Sequence, residues 1–210
     1  MSRTARNPEA TRGRLIEAAI RVIREKGYVA TTVDDLCAAA GVSKGAFFHH
    51  FADKQAAALA AAEAFSARAE GIFDVPSVRE PASARDRVFA YLAFRKSLLT
   101  GDVADATCLF GTMVQEVWET HPAIRDVCAV AIGSHAGGLV ADIASAKAVC
   151  APRADWEPES LALHTQAVIQ GAFVLAKAAG DLAVAVDTLT HLERYLGLLL
   201  PAPGPEEEPR

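Results

Sequence analysis

Aromatic residues are scarce in this chain, at 7% of 210 positions, and there are only two methionines and four cysteines. The cysteines, Cys37, Cys108, Cys128 and Cys150, stand far apart. None forms a CxxC and no histidine lies at zinc-finger spacing. Neither a structural metal site nor a disulfide framework is therefore expected, and the thiols read as free in a reducing compartment. No uncharged apolar run reaches the eighteen residues of a membrane span. Met1 to Arg14 is polar and basic with no apolar region behind it, so no secretory signal is expected and a cytoplasmic location follows. Signatures of catalysis are missing too. There is no HExxH, no GxxxxGK[ST] and no GxGxxG. Ser134 precedes His135, but Ile132 stands where a nucleophile elbow needs glycine. An all-helical enzyme is thus the weakest reading, and no cofactor is expected.

What is abundant is alanine and leucine. The chain is 51% hydrophobic and 22% charged, the balance of a folded protein. Ala and Leu are strong helix formers, and β-branched clusters bounded by turns are rare, so the expected class is all-α. The net charge is −5, but it is uneven. Residues 1–56 hold nine basic and six acidic groups, for +3, and the remainder carries −8. That asymmetry directs attention to a polyanion contact near the N-terminus.

Hydrophobic periodicity places a first helix at about Pro8–Lys26, with Leu15, Ala18, Ala19, Val22 and Ile23 on one face and Gly27 as its stop. Thr32 is positioned to cap a second helix, with Asp34 and Asp35 in its first turn. Gly41 ends it, Ser43 caps a third, and Asp53 caps a long fourth. A Pro-containing linker is expected at Asp74–Ala82. Further helices are expected at about Ser83–Thr100, Asp105–Thr120, Pro122–Val149, Pro158–Ala179 and Leu182–Leu200, about nine in all. The expected domains are residues 1–54, residues 55–200 and a disordered acidic tail at 201–210.

Val33 to Phe51 reads VDDLCAAAGVSKGAFFHHF, two short helices turning at Gly41. Leu36 and Ala40 lie one turn apart, Val42 plugs the corner, and Phe47 and Phe51 face inward. That leaves Lys44, Gly45, Ala46, Phe48, His49 and His50 on the outside of the second helix. In a helix-turn-helix this second helix enters the DNA major groove. Ser43 and Thr32 at helix starts, and Lys54 just beyond, are placed to reach phosphates. The plainer alternative is an ordinary helical hairpin.

TTVDDLCAAAGVSKGAFFHHFADK resembles the N-terminal signature of the TetR/AcrR family of transcriptional regulators. Thr32, Gly41, Val42, Ser43, Gly45, His50, Phe51 and Lys54 match its pattern. Two positions depart from it. Cys37 replaces the usual alanine, and Phe48 replaces a tyrosine whose hydroxyl commonly contacts phosphate. The resemblance implies a homodimer on a double-stranded, inverted-repeat operator, with a helical domain that binds a small-molecule effector and relieves repression. QAVIQGAFVLAKAAGD and LAVAVDTLTHLERYLGLLL resemble the family's last two, dimerising helices. Gly171, Ala172, Ala176 and Ala179 give a small-residue face there, and Leu189, Leu192, Leu196 and Leu199 an apolar stripe. Burial inside one protomer is the competing reading of both.

Phe89, Phe94, Leu98, Phe110, Met113, Val117 and Trp118 are candidate pocket residues, with core packing as the alternative. Cys108, at an expected helix start, is the candidate for a redox- or electrophile-sensing variant of the same function. His121, His135, His164 and His191 are isolated, and no metal site can be assembled from their spacing.

Overall fold

The computed structural model describes residues 8–202, so most of the expected acidic tail lies outside the described residues. These residues form eleven helices and no strand. They are α1 Pro8–Lys26, α2 Val33–Ala40, α3 Lys44–His50, α4 Lys54–Phe73, α5 Pro76–Arg79, α6 Ala84–Ser97, α7 Val103–Ala106, α8 Leu109–Val117, α9 Pro122–Cys150, α10 Pro158–Ala179 and α11 Ala183–Leu199. Two more helices occur than periodicity suggests, because two single turns are too short to carry a period. Pro76 starts α5 inside the expected linker. The helix expected at Asp105–Thr120 is broken at Thr107–Cys108, where Cys108 takes the N-cap of α8 and its Sγ accepts from Gly111 N–H at 3.5 Å.

The chain forms two compact units. The first comprises the chain through Gly71 together with Thr107–Ala131. It therefore extends beyond the 54 residues expected for the head. Leu15, Ala19 and Ile23 of α1 are fully buried with Leu36 and Phe47. Ala57, Ala58 and Ala61 give α4 a smooth buried face. Leu109, Phe110, Met113 and Ile124 complete this core. Each such side chain removed from water contributes about 1.5–3 kcal/mol.

The second unit comprises Ile72–Ala106 and the chain from Ile132 onward. Glu157 and Pro158 open α10, and Gly180, at φ 66°, closes it. Here α10 packs on α11, and α6 on α11. Arg87 of α6 pairs with Asp142 of α9 at 2.7 Å, and Lys96 pairs with Glu193 of α11. The faces of α10 and α11 are turned opposite to the dimer assignment made from sequence. Ala172, Ala176, Leu189, Leu192 and Leu196 are buried within the single chain, Ala172 completely. Only Gly171 and Ala179 of the expected contact are exposed, with Leu199 intermediate. Leu163, Val174, Leu175, Val186, Tyr195 and Leu198 face outward instead.

By length and composition α9 could span a membrane. Its buried residues Ile124, Cys128, Ala131, Leu139, Ile143 and Ala146 recur at helical spacing, the pattern of a helix packed on protein along one face.

Candidate nucleic-acid interface

The helix-turn-helix is assembled by local capping. Thr32 Oγ1 accepts from Asp35 N–H at 3.2 Å, and the Asp35 carboxylate accepts from Thr32 N–H at 2.8 Å. This reciprocal capping box fixes the start of α2. Lys26 Nζ sits 2.6 Å from the same carboxylate. Together Lys26 and Thr32 hold Asp35 far below the ordinary carboxylate range. The Thr32 hydroxyl also donates to Asp35 at 2.6 Å, within the cap.

Gly41 adopts φ 62° and ψ 43°, and Val42 N–H returns to Cys37 C=O at 3.0 Å, which ends α2 and turns the chain. Ser43 Oγ then accepts from Ala46 N–H at 3.2 Å. Its hydroxyl hydrogen has no partner among the described residues, so it can still donate. Phe47 is fully buried against Phe51, 5.7 Å between centroids, and Arg12 stacks over Phe51 at 5.4 Å.

This packing leaves Ser43, Lys44, Gly45, Phe48 and His49 exposed on α3, with Ala46 and His50 half-buried. Phe48 is 56% exposed, edge-on to Phe47 at 5.3 Å. A Cβ at Gly45 would meet only the Ser43 hydroxyl, at 3.9 Å. Gly45 is the second residue of α3, in its first turn, and nothing among the described residues requires glycine there. Lys44 is exposed and carries an ion pair. Its Nζ lies 2.8 Å from Asp34 of α2, an ion pair on the face that carries the other exposed residues, and Asp34 raises the Lys44 pKa. Sequence inspection places Asp34 in the first turn of α2 but not beside Lys44, since only the α2–α3 geometry brings the two together. Behind this corner, Thr11, Arg14, Cys37, Gly41 and Ser43 help line an open groove of about 290 Å³.

Lys54, expected at a phosphate, is engaged within the chain. Its Nζ donates to the carbonyls of Tyr28 at 2.8 Å, Val29 at 3.3 Å and Thr31 at 2.8 Å, and lies 4.3 Å from the Tyr28 ring centroid. An ammonium has three N–H groups, and all three are used. Burial lowers the pKa of Lys54 and raises that of Tyr28. The same turn is fixed from the other side by Glu116 of α8, which accepts from Val29 N–H at 2.9 Å. Gly27 adopts φ 87°, and a Cβ there would collide with the Glu116 carboxylate. His121 meets the Tyr28 ring edge-on at 5.2 Å. Glu116 lies 87 residues from Val29 and left no sequence signal.

The candidate pocket residues divide between the two units. Phe110, Met113 and Val117 are core residues of the first, with Phe65 edge-on to Phe110 at 5.5 Å. Trp118 is 58% exposed and Leu98 39%, so neither lines an interior as expected. Phe89 and Phe94 are half-buried in the second unit. Cys108 is half-buried at its N-cap. Cys128 is fully buried, and burial, then nearby Cys108, push its thiol up to about 12. Among the described residues, no group of three or more His, Cys, Asp or Glu is placed to hold a metal.

Residues 15–62 match the family described as bacterial regulatory proteins, tetR family, and residues 84–192 match the tetracyclin repressor-like C-terminal domain. The chain is 51% identical over 53 residues to the HTH-type transcriptional regulator CymR of Pseudomonas putida, covering 25% of this chain and 26% of that protein. It is 43% identical over 65 residues to the HTH-type transcriptional repressor AcnR of Corynebacterium efficiens, covering 31% and 35%. These matches thus span about a quarter to a third of the relatives' length. In fold, it resembles a TetR-family regulator from Agrobacterium tumefaciens, with TM-score 0.77 and 18% identity over 90% of this chain and 98% of that one. A TetR regulator from Chloroflexus aurantiacus gives TM-score 0.77 and 24% identity over 90% and 95%. With its matches to the N-terminal and C-terminal family descriptions together spanning most of its length, the chain belongs to the TetR family of transcriptional regulators.

Proposed function

We propose that this protein is a cytoplasmic, dimeric transcriptional repressor that binds an inverted-repeat operator and is released by a small-molecule effector. In this reading residues 1–54 bind DNA, and residues 55–200 bind the effector and dimerise. The observation that carries the DNA assignment is the exposed start of α3. Capped by Ser43, it presents Lys44, Phe48 and His49 around a glycine that its own fold does not need. That is the surface a recognition helix lays in a major groove. The second protomer is assigned to the outward apolar face of α10 and α11. Leu163, Gly171 and Val174 form an exposed helical stripe there. Tyr195 and Leu198 stand three apart on α11, and Tyr195 meets His164 of α10 at 5.3 Å between rings. A two-fold axis through this face makes a four-helix contact. The effector shifts the equilibrium only if it binds the released conformation more tightly.

Gly45→Ala tests the DNA assignment. The variant should fold with stability equal to or slightly above that of the wild type, since the first-turn position has room for the methyl group. It should bind the operator, selected from a random-sequence library, at least about tenfold more weakly, because a methyl group enters the approach of α3 to DNA. Unchanged affinity by fluorescence anisotropy would remove α3 from the groove.

A further inference from the structure

The second unit holds a guanidinium that no carboxylate matches. Arg95, in the last turn of α6, lies 4.3 Å from the ring centroid of Phe73 and 5.3 Å from that of Tyr91. Its Nε donates to the Tyr91 hydroxyl at 3.0 Å. The other long cations of α6 are matched: Arg87 by Asp142, Lys96 by Glu193 and Arg85 by Asp86. Arg95 has no ion pair among the described residues, and its two terminal nitrogens have no acceptor there. It is half-buried, and its two terminal nitrogens are not closed off from solvent, so an anion can reach them.

Its surroundings are flat and apolar. Phe94 and His135 each meet the Phe73 ring edge-on at 5.6 Å. Burial, and then the Arg95 charge, push His135 down to about 4, so its imidazole is neutral at pH 7 and adds no second cation. A neutral imidazole keeps one N–H to give. The paired terminal nitrogens of a guanidinium match the two oxygens of a carboxylate. Aromatic edges and faces match a planar apolar body beside it.

We propose that Arg95 anchors the effector site, and that the effector is a small organic carboxylate with a flat apolar body. This rests on the ligand-gated reading above. Phe73, Phe94 and neutral His135 form the wall against which that body lies, and the carboxylate supplies the counter-charge that the protein withholds from Arg95.

Calorimetric titration of the full chain with benzoate, phenylacetate and cinnamate, each against its neutral amide, tests the assignment. At least one acid should bind with a Kd of about 1 mM or tighter. Its amide should bind about 10- to 100-fold more weakly, the loss of a charge-assisted pair. Arg95→Gln should bind acid and amide alike. Arg95→Lys, which keeps the charge and covers the case of an unfolded Arg95→Gln, should weaken the acid about tenfold and leave the amide unchanged. No binding by any of the three acids, equal binding of acid and amide, or an unchanged acid affinity in Arg95→Lys would overturn the proposal. Operator retention is measured separately. An acid that binds through Arg95 yet leaves the operator bound refutes gating and keeps the anion site. Amides that release the operator while the acids fail to bind keep gating and sink the anion site.

Discussion

Replacing Lys54 by methionine separates two roles that the same residue could have. Methionine keeps most of the aliphatic stem and removes only the ammonium. The structure assigns that ammonium two hydrogen bonds of 2.8 Å, to Tyr28 and Thr31 carbonyls, and one of 3.3 Å to the exposed Val29 carbonyl. In the variant water can solvate Val29, so that bond is worth a few tenths of a kcal/mol. The two shorter, partly buried bonds contribute about 1 kcal/mol each. The Tyr28 cation–π contact adds about 0.5 kcal/mol. The expected loss is about 2–3 kcal/mol, or roughly 4–12 °C in melting temperature for a chain of this size. A residue whose main task is to neutralise phosphate would behave otherwise. Its removal would leave the melting temperature alone and lower the slope of log affinity against log salt by about one. Thermal unfolding and fluorescence anisotropy over a salt series read both quantities on one preparation. A Lys54→Met protein that melts like the wild type and loses one unit of salt slope refutes the lock and restores the phosphate contact.

Two further substitutions probe the surface of α3. Phe48→Tyr should fold normally, since the ring is more than half exposed, and should tighten operator binding by about 0.5–1.5 kcal/mol through one added hydrogen bond to phosphate. Weaker binding to the native operator would instead assign Phe48 to a thymine methyl. Asp34→Asn removes the carboxylate that holds Lys44 and should raise affinity several-fold for scrambled DNA and less for the operator, lowering the specificity ratio. Anisotropy with both duplexes decides, and a drop in affinity for scrambled DNA would show that Asp34 does not restrain Lys44.

Much of the helix-turn-helix was legible because its signals are local. Thr32 and Asp35 stand three apart, as do Ser43 and Ala46, and Gly41 sits where the chain must turn left-handed, so spacing alone anticipates these caps. Legibility ended where partners are remote. Lys54 lies 26 residues from Tyr28, and Glu116 lies 87 from Val29, so the lock on the α1–α2 turn exists only in three dimensions. The Asp35 bond of the Thr32 hydroxyl went unseen for a different reason. A side chain can look available in sequence and still spend its hydrogen on Asp35. Arg95 was overlooked because an arginine on a helix is ordinarily solvated. What distinguishes it from the exposed Arg153 and Arg194, equally unpaired among the described residues, is its half-buried seat against Phe73 and Tyr91, which a sequence cannot display.

The α10–α11 pair shows a limit of another kind and yields the last prediction. Both faces of α10 are apolar. Leu161, Ile169, Ala172 and Ala176 share one, and Leu163, Val174 and Leu175 the other. Periodicity therefore finds the helix without saying which side the chain itself covers. The small residues turn out to let α10 and α11 approach within one protomer. Ala172→Arg then does not split a dimer; it forces a charge into a fully buried position. The expected cost is about 3–5 kcal/mol, enough to unfold many domains. Leu198 is 81% exposed in the single chain, so Leu198→Arg should leave each protomer's fold intact. In the dimer it would set two arginines near a two-fold axis inside an apolar contact. Sedimentation should then find folded monomers, with circular dichroism and melting close to wild type at high dilution. Operator affinity should fall with the dimer, because an inverted repeat needs both recognition helices at fixed spacing. If Leu198→Arg stays dimeric while Ala172→Arg gives a well-folded monomer, the inner and outer faces have been assigned the wrong way round.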